Sequence, residues 1–217
     1  TQYQNHVEQY LQALAKELAF LGEYAKAFQL KTIYVGGGTP TSLTQEQMKW
    51  LFEKMGDYFD LQKQGLEFTV EAGRPDTITK QKLSVMKEYG VNRISINPQT
   101  MNQKTLQLIG RKHTVEDVKK VFWQARELGH DNINMDLILG LPQETPKDVG
   151  YTMSEMEKLK PDNLTIHTLA VKRASRLKEN FDFYTLTKAE ELEKMLLIAA
   201  ESAKTMGMKP YYMYRQK

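Results

Sequence analysis

Short β-prone segments alternate with longer segments of helical periodicity along almost the whole chain, and that order admits few folds. Val7, Tyr10, Leu11, Leu14, Leu18 and Leu21 recur every three or four positions and predict a first helix. A strand over residues 32–35 follows and runs into three glycines; a helix then starts at Thr44, where Thr44 and Gln47 have capping-box spacing. Residues 67–70 and 93–96 read as strands around a helix over 79–89 that Gly90 closes. Helices over 102–108 and 115–128 come next, the second between Thr114 and Gly129. A strand over 132–139, a helix opened by Thr145-Pro146 and running to about Lys160, a strand over 163–169 and a helix over 187–206 complete the pattern.

Strands separated by helices, with no hairpin signal between them, must lie parallel and connect by right-handed crossovers. A doubly wound sheet would place nearly pure apolar runs in its middle strands. Here Ser95 and Asn97, Asn134 and Asp136, and Thr165 and His167 alternate with apolar residues. One polar face and one helix-covered face fit the inside of a barrel, and about five strands make it an incomplete or open (β/α) barrel of the α/β class. No linker or low-complexity stretch divides residues 1–217, so a single domain is expected.

A hydrophobic fraction of 41% and a charged fraction of 26% suit a globular chain with a sizeable core. Thirty basic residues stand against twenty-seven acidic ones, a net charge of +3, which implies no nucleic-acid partner. No apolar run reaches membrane-spanning length and the first residues resemble no secretory signal, so a cytoplasmic protein is expected. There is no cysteine, which excludes disulfides and cysteine-ligated metal in this chain. The sequence opens without methionine and ends in an aromatic stretch, Tyr211-Tyr212-Met213-Tyr214, that reads as a strand with nothing after it; a fragment is expected.

In a parallel barrel the ligand sits over the carboxyl ends of the strands. Past the first strand stands Gly36-Gly37-Gly38-Thr39-Pro40, where missing side chains let a ligand approach the backbone. No Gly-Lys-Ser/Thr follows and the spacing is not that of the dinucleotide fingerprint; a plain tight turn would also account for these glycines. The second strand ends in Glu71-Ala72-Gly73-Arg74-Pro75, where Glu71 suits either a ligand or a surface ion pair. The third ends in Asn97-Pro98-Gln99-Thr100, and the fourth carries Asp136 inside a strand that should be wholly buried, where a carboxylate needs a partner or ligand. Arg111 can turn back over the same mouth or serve structure alone, and an inward His167 is more simply satisfied by a neighbour than catalytic. Met195 and Met206 read as core filler.

The ordered series Tyr34-Val35-Gly36-Gly37-Gly38-Thr39-Pro40-Thr41, Val70-Glu71, Arg93-Ile94-Ser95-Ile96-Asn97-Pro98-Gln99-Thr100 and Asp136-Leu137-Ile138-Leu139-Gly140-Leu141-Pro142 resembles the oxygen-independent coproporphyrinogen III oxidases (coproporphyrinogen dehydrogenases) of the radical S-adenosylmethionine superfamily. The likeness covers roughly residues 32–170. It implies that Gly37, Gly38, Thr39 and Glu71 hold the methionyl amino group of S-adenosylmethionine. Gln99, Arg111 and Asp136 would then hold its carboxylate and ribose, with Ala170 near the adenosyl end. Carbonyls and a carboxylate suit an ammonium, and a guanidinium suits a carboxylate.

The resemblance further implies a [4Fe-4S] cluster that reduces the sulfonium, and a 5′-deoxyadenosyl radical that abstracts hydrogen from the substrate. For a tetrapyrrole substrate, coproporphyrinogen III, the outcome is oxidative decarboxylation to protoporphyrinogen IX in haem biosynthesis, with a separate electron donor. The family's cluster ligands form a C-x3-C-x2-C loop, and this chain has none of them. The resemblance places that loop just ahead of the first helix and a further C-terminal portion after the last, both outside these residues. The parent protein is thus expected to be an oxidoreductase and this piece alone inactive, with no metal ligand and no assigned catalytic residue. Relatives with the same motifs that bind and deliver haem without oxidase activity are the alternative.

Overall fold

The computed structural model describes residues 2–169 and 187–213. Its elements in chain order are α1 (Gln2–Ala25), β1 (Thr32–Val35), α2 (Gln45–Gly56), β2 (Glu67–Gly73), α3 (Lys80–Glu88), β3 (Arg93–Gln99), α4 (Gln103–Leu108), α5 (Val115–Glu127), β4 (Ile133–Leu139), α6 (Pro146–Leu159), β5 (Asn163–Thr168) and α7 (Ala189–Thr205). Short 3-10 turns cover Pro40–Ser42 and Pro75–Thr77. The five strands form one sheet in the order β1-β2-β3-β4-β5, every neighbour parallel. This is the expected α/β architecture: among the described residues, a partial barrel whose sheet does not close.

Local chemistry explains the boundaries. Thr44 caps α2 by accepting from the Gln47 N–H at 3.2 Å while the Gln47 side chain accepts from the Thr44 N–H at 3.0 Å. Thr114 and Asp117 repeat the motif at α5, and Thr145 and Asp148 at α6. At the other ends, Gly90 and Gly129 close α3 and α5 as the sequence predicts, each with the paired 5→2 and 6→1 hydrogen bonds of a Schellman turn. Helix α6 ends differently, with Lys160 in the left-handed region at φ 55° ahead of Pro161.

The core lies between the sheet and its helices. Phe68, Val70, Ala72, Ile94, Ile96, Ile133, Met135 and Leu137 point to one side and pack with Phe52, Leu83, Met86, Phe122 and Met153. The aromatic contact at its centre is edge-on: the Phe52 and Phe68 rings stand 5.6 Å apart at 77°. Alternation then places Tyr34, Thr69, Glu71, Ser95, Asn97, Asn134, Asp136, Thr165 and His167 on the opposite face, which is polar.

Several expectations need correction. Strands β2 and β3 run on to Gly73 and Gln99, so Glu71 and Asn97 lie within strands rather than past them. Residues Tyr211–Met213 form no strand; Tyr214–Lys217 and Ala170 lie outside the described residues. Met195 is core, as expected, and Met206 packs against it.

Phe68 is fully buried, so Phe68→Ala is expected to cost about 3–5 kcal/mol, measured by urea or guanidinium unfolding. A cost below about 1 kcal/mol would show that the sheet does not rest on this layer.

Candidate cofactor site

The polar face is held together by side chains that reach across strands. The Asn134 amide nitrogen donates to Ser95 Oγ at 3.1 Å and to Asp136 Oδ1 at 2.6 Å, and its oxygen accepts from Thr165 Oγ1 at 3.0 Å. One amide therefore ties β3, β4 and β5. Asp136 is half-buried, not enclosed as expected, and its partners belong to the chain itself: burial drives its pKa up, opposed by the Asn134 and Thr165 hydrogen bonds and by His167, while nearby Glu71 adds to the rise. His167 shares the polar face but is exposed, because β5 has a neighbour on one side alone among the described residues.

Glu71 is the register partner of Ser95 on the neighbouring strand and accepts a hydrogen bond from Tyr34. Partial burial and that bond push the Tyr34 hydroxyl well above the ordinary tyrosine range. Gly36 explains how the two groups come together. A Cβ on it would lie 2.4 Å from Tyr34 Cε1 and 3.2 Å from Glu71 Cδ, so any side chain would force them apart. Gly37, at φ 106°, and Gly38 face open space on the same loop, with nothing within 4 Å of an added Cβ. The loop thus offers exposed backbone beside a carboxylate.

A second layer fixes the loop against β2. Thr41, at the 3-10 turn after Pro40, donates to the Ala72 carbonyl and meets Thr77 Oγ1 at 2.6 Å. Lys82 Nζ reaches up from α3 to donate to the carbonyls of Thr41 at 2.6 Å and Thr77 at 3.1 Å. Burial lowers the Lys82 pKa, yet both carbonyls are satisfied by it. From sequence, Asn134 is marked only by strand alternation and Tyr34 and Thr41 only as members of the glycine-loop motif, with no role given to any of them; nothing local marks Lys82.

Gln99 is 8% exposed and has φ 70°, a conformation that non-glycine residues seldom adopt. It follows Pro98, which has no N–H for the ladder, and the β3–β4 register breaks between Ile96 and Gln99. The break brings Gln99 beside Leu137, next to Asp136. Asn97 Oδ1, on the polar face, is buried without a hydrogen-bond partner among the described residues. Arg111 is set by a Schellman turn: the Arg111 N–H donates to Leu106 O at 2.8 Å and Gly110 N–H to Gln107 O at 3.1 Å, with Gly110 at φ 71° where a side chain would be strained. Its guanidinium is half-buried; burial and the Arg74 charge lower its pKa while Asp76 opposes them. Arg111 therefore lies by Arg74, just past the end of β2. His113, its ring buried, lies between Pro98 O at 3.4 Å and Asp76 at 3.9 Å.

The profile of the Radical SAM superfamily matches residues 4–156. The chain belongs to the radical SAM superfamily. It is 48% identical over 213 residues to the oxygen-independent coproporphyrinogen-III oxidase-like protein HemZ of Bacillus subtilis, covering 97% of this chain and 42% of HemZ. It is 40% identical to the heme chaperone HemW of the same organism, over 76% of this chain and 43% of HemW. Among solved structures it superposes on the coproporphyrinogen III oxidase HemN of Escherichia coli, a radical SAM enzyme, with a TM-score of 0.84 and 26% identity, covering 95% of this chain and 48% of that one. The chain spans less than half the length of each of these relatives.

Radical SAM membership brings S-adenosylmethionine and a [4Fe-4S] cluster. The chemistry present suits the first: open glycine backbone after β1, the Glu71 and Asp136 carboxylates, the buried unpartnered Asn97 amide oxygen, and the Arg111 guanidinium beside Arg74. It does not suit the second, since the chain has no cysteine and no group of three or more potential ligands exists among the described residues. A cavity of about 900 Å³ lies under α1 against β1 and α2; it is walled by Leu11, Leu14, Leu18, Leu30 and Phe59 and touches the glycine loop at one end. No helix among the described residues is long and apolar enough to cross a membrane.

The raised Asp136 pKa carries a sign. A carboxyl whose pKa rises on folding contributes stability below its ordinary value of 3.8, and that contribution is lost as pH climbs through the raised value. Asp136→Asn is therefore expected to raise Tm above pH 7, at roughly 2–4 °C for each kcal/mol relieved, and to leave it unchanged near pH 3.5. Thermal melts across that range check it; an equal effect at both pH values would show that the carboxylate charge is not the cause.

Proposed function

We propose that the strand-end mouth binds S-adenosylmethionine. Glu71 and the backbone of Gly37, Gly38 and Thr39 take its ammonium, Arg111 its carboxylate, and Gln99 and Asp136 its ribose hydroxyls. The supporting observation is the position of Asp136, a carboxylate kept half-buried in the middle of a parallel sheet, beside a left-handed Gln99 and within electrostatic reach of Glu71. A diol binds such a carboxylate through two donated hydrogen bonds, and an amide beside it adds a further donor and acceptor. The ammonium matches Glu71, whose other oxygen is already engaged by Tyr34. The chemistry that the bound cofactor supplies in this superfamily is hydrogen abstraction from a substrate; these side chains orient it and keep water away.

The parent protein is then a radical SAM oxidoreductase of the HemN type, acting on coproporphyrinogen III to give protoporphyrinogen IX with electrons from a separate donor. The 40% identity to a heme chaperone favours a second reading, haem binding and delivery without oxidation.

Calorimetric titration of the intact parent protein, purified anaerobically with its cluster, tests the site. Glu71→Gln and Arg111→Ala are each expected to weaken S-adenosylmethionine binding by about ten-fold or more. Unchanged affinity in both defeats the assignment. Turnover of coproporphyrinogen III supports the oxidase, and haem binding without turnover supports the carrier.

A further inference from the structure

The loops after β3 and β4 share a buried polar knot that the proposed cofactor contacts do not use. Glu144, in the loop between β4 and α6, is 5% exposed and accepts from Thr100 Oγ1 at 2.6 Å. Thr105 on α4 is a second hydroxyl partner, and Asp148 is the charged group that faces it from α6. Thr100 Oγ1 in turn meets Thr152 Oγ1 of α6 at 3.1 Å and accepts from the Asn102 N–H at 3.1 Å. Thr152 accepts from the Met101 N–H at 3.2 Å, and the Asn102 side chain donates to Asp148 at 3.1 Å. Thr100, Thr105 and Thr152 are all buried.

The location gives this knot its meaning. The residue before Thr100 is Gln99, at φ 70°; the residue before Glu144 is Gln143, at φ 64°. Both are left-handed non-glycine residues, a conformation that persists only where the surroundings hold it. The Thr100–Glu144 contact joins the residues that directly follow these two positions, while Thr105 also reaches Glu144, and Thr152 and Asp148 of α6 hold residues 101 and 102.

We propose that Glu144 is a positioning residue: through Thr100 it locks the left-handed turn that aims Gln99 into the cofactor mouth. The inference rests on the reading of that mouth as an S-adenosylmethionine site. Glutamine can keep the acceptor oxygen that Thr100 needs, whereas leucine fills the space and offers none.

The test uses the intact protein with its cluster and measures S-adenosylmethionine affinity. Glu144→Leu and Thr100→Val are each expected to weaken binding about ten-fold, while Glu144→Gln and Thr100→Ser stay within about three-fold of wild type. A merely structural role is separated by a double-mutant cycle: in a Gln99→Ala background, Thr100→Val should lose most of its effect on affinity, although its effect on Tm persists. Amide exchange at residues 99–101, faster in Thr100→Val without any ligand, reads the same tie even where Glu144→Leu fails to fold. Wild-type affinity in Thr100→Val, or full additivity with Gln99→Ala, overturns the proposal. A wild-type protein that binds no S-adenosylmethionine removes the reading beneath it, whereas normal wild-type binding with unaffected variants removes this inference alone.

Discussion

The Asn134 side chain is the contact on which the polar face depends. A parallel sheet covered by helices on one side leaves its other face to hold whatever alternation places there, and here that is a row of hydroxyls, amides and carboxylates. Such groups are costly to bury unless each finds a partner. One amide answers for three strands, donating to Ser95 and Asp136 and accepting from Thr165. It keeps Asp136 in place while leaving its second oxygen unclaimed by Asn134. The sheet can then present a carboxylate to a ligand without first reorganising.

Around that centre the fold uses connections as braces. Lys82 and Thr41 fasten the glycine loop to the end of β2, and Glu144 and Thr100 fasten the end of β3 to the loop after β4. The strained Gln99 stands between the two braces. Strain persists only where neighbours over-determine it, and here it coincides with the place where a register break and a proline end the strand ladder. The radical SAM fold seen in HemN thus acquires its mouth from loops that are individually irregular but mutually tied.

Much of this was legible in the sequence, for physical reasons that differ by feature. Alternating elements gave the parallel sheet, the polar residues on one strand face pointed to the open barrel over a doubly wound sheet, and the Thr44, Thr114 and Thr145 caps marked helix starts within a residue or two. Asp136 and Asn134 stood out as polar residues among apolar neighbours. The reach of β2 and β3 was not legible, since Gly73 and Pro98 read as breakers while the neighbouring strands continue to pair there. Lys82 and Glu144 were also hidden, as their partners lie 41 and 44 residues away in sequence. The enclosure expected around Asp136 is absent because its opposite face is open on that side of the sheet.

On this reading the strand ends, not the apolar gap under α1, receive the cofactor. A crystal structure of the intact protein with S-adenosylmethionine decides it most directly. The methionyl end is expected between Gly37, Glu71 and Arg111, with the ribose on Asp136 and Gln99. Cofactor density among Leu11, Leu14 and Phe59, with the strand-end mouth empty, would contradict it.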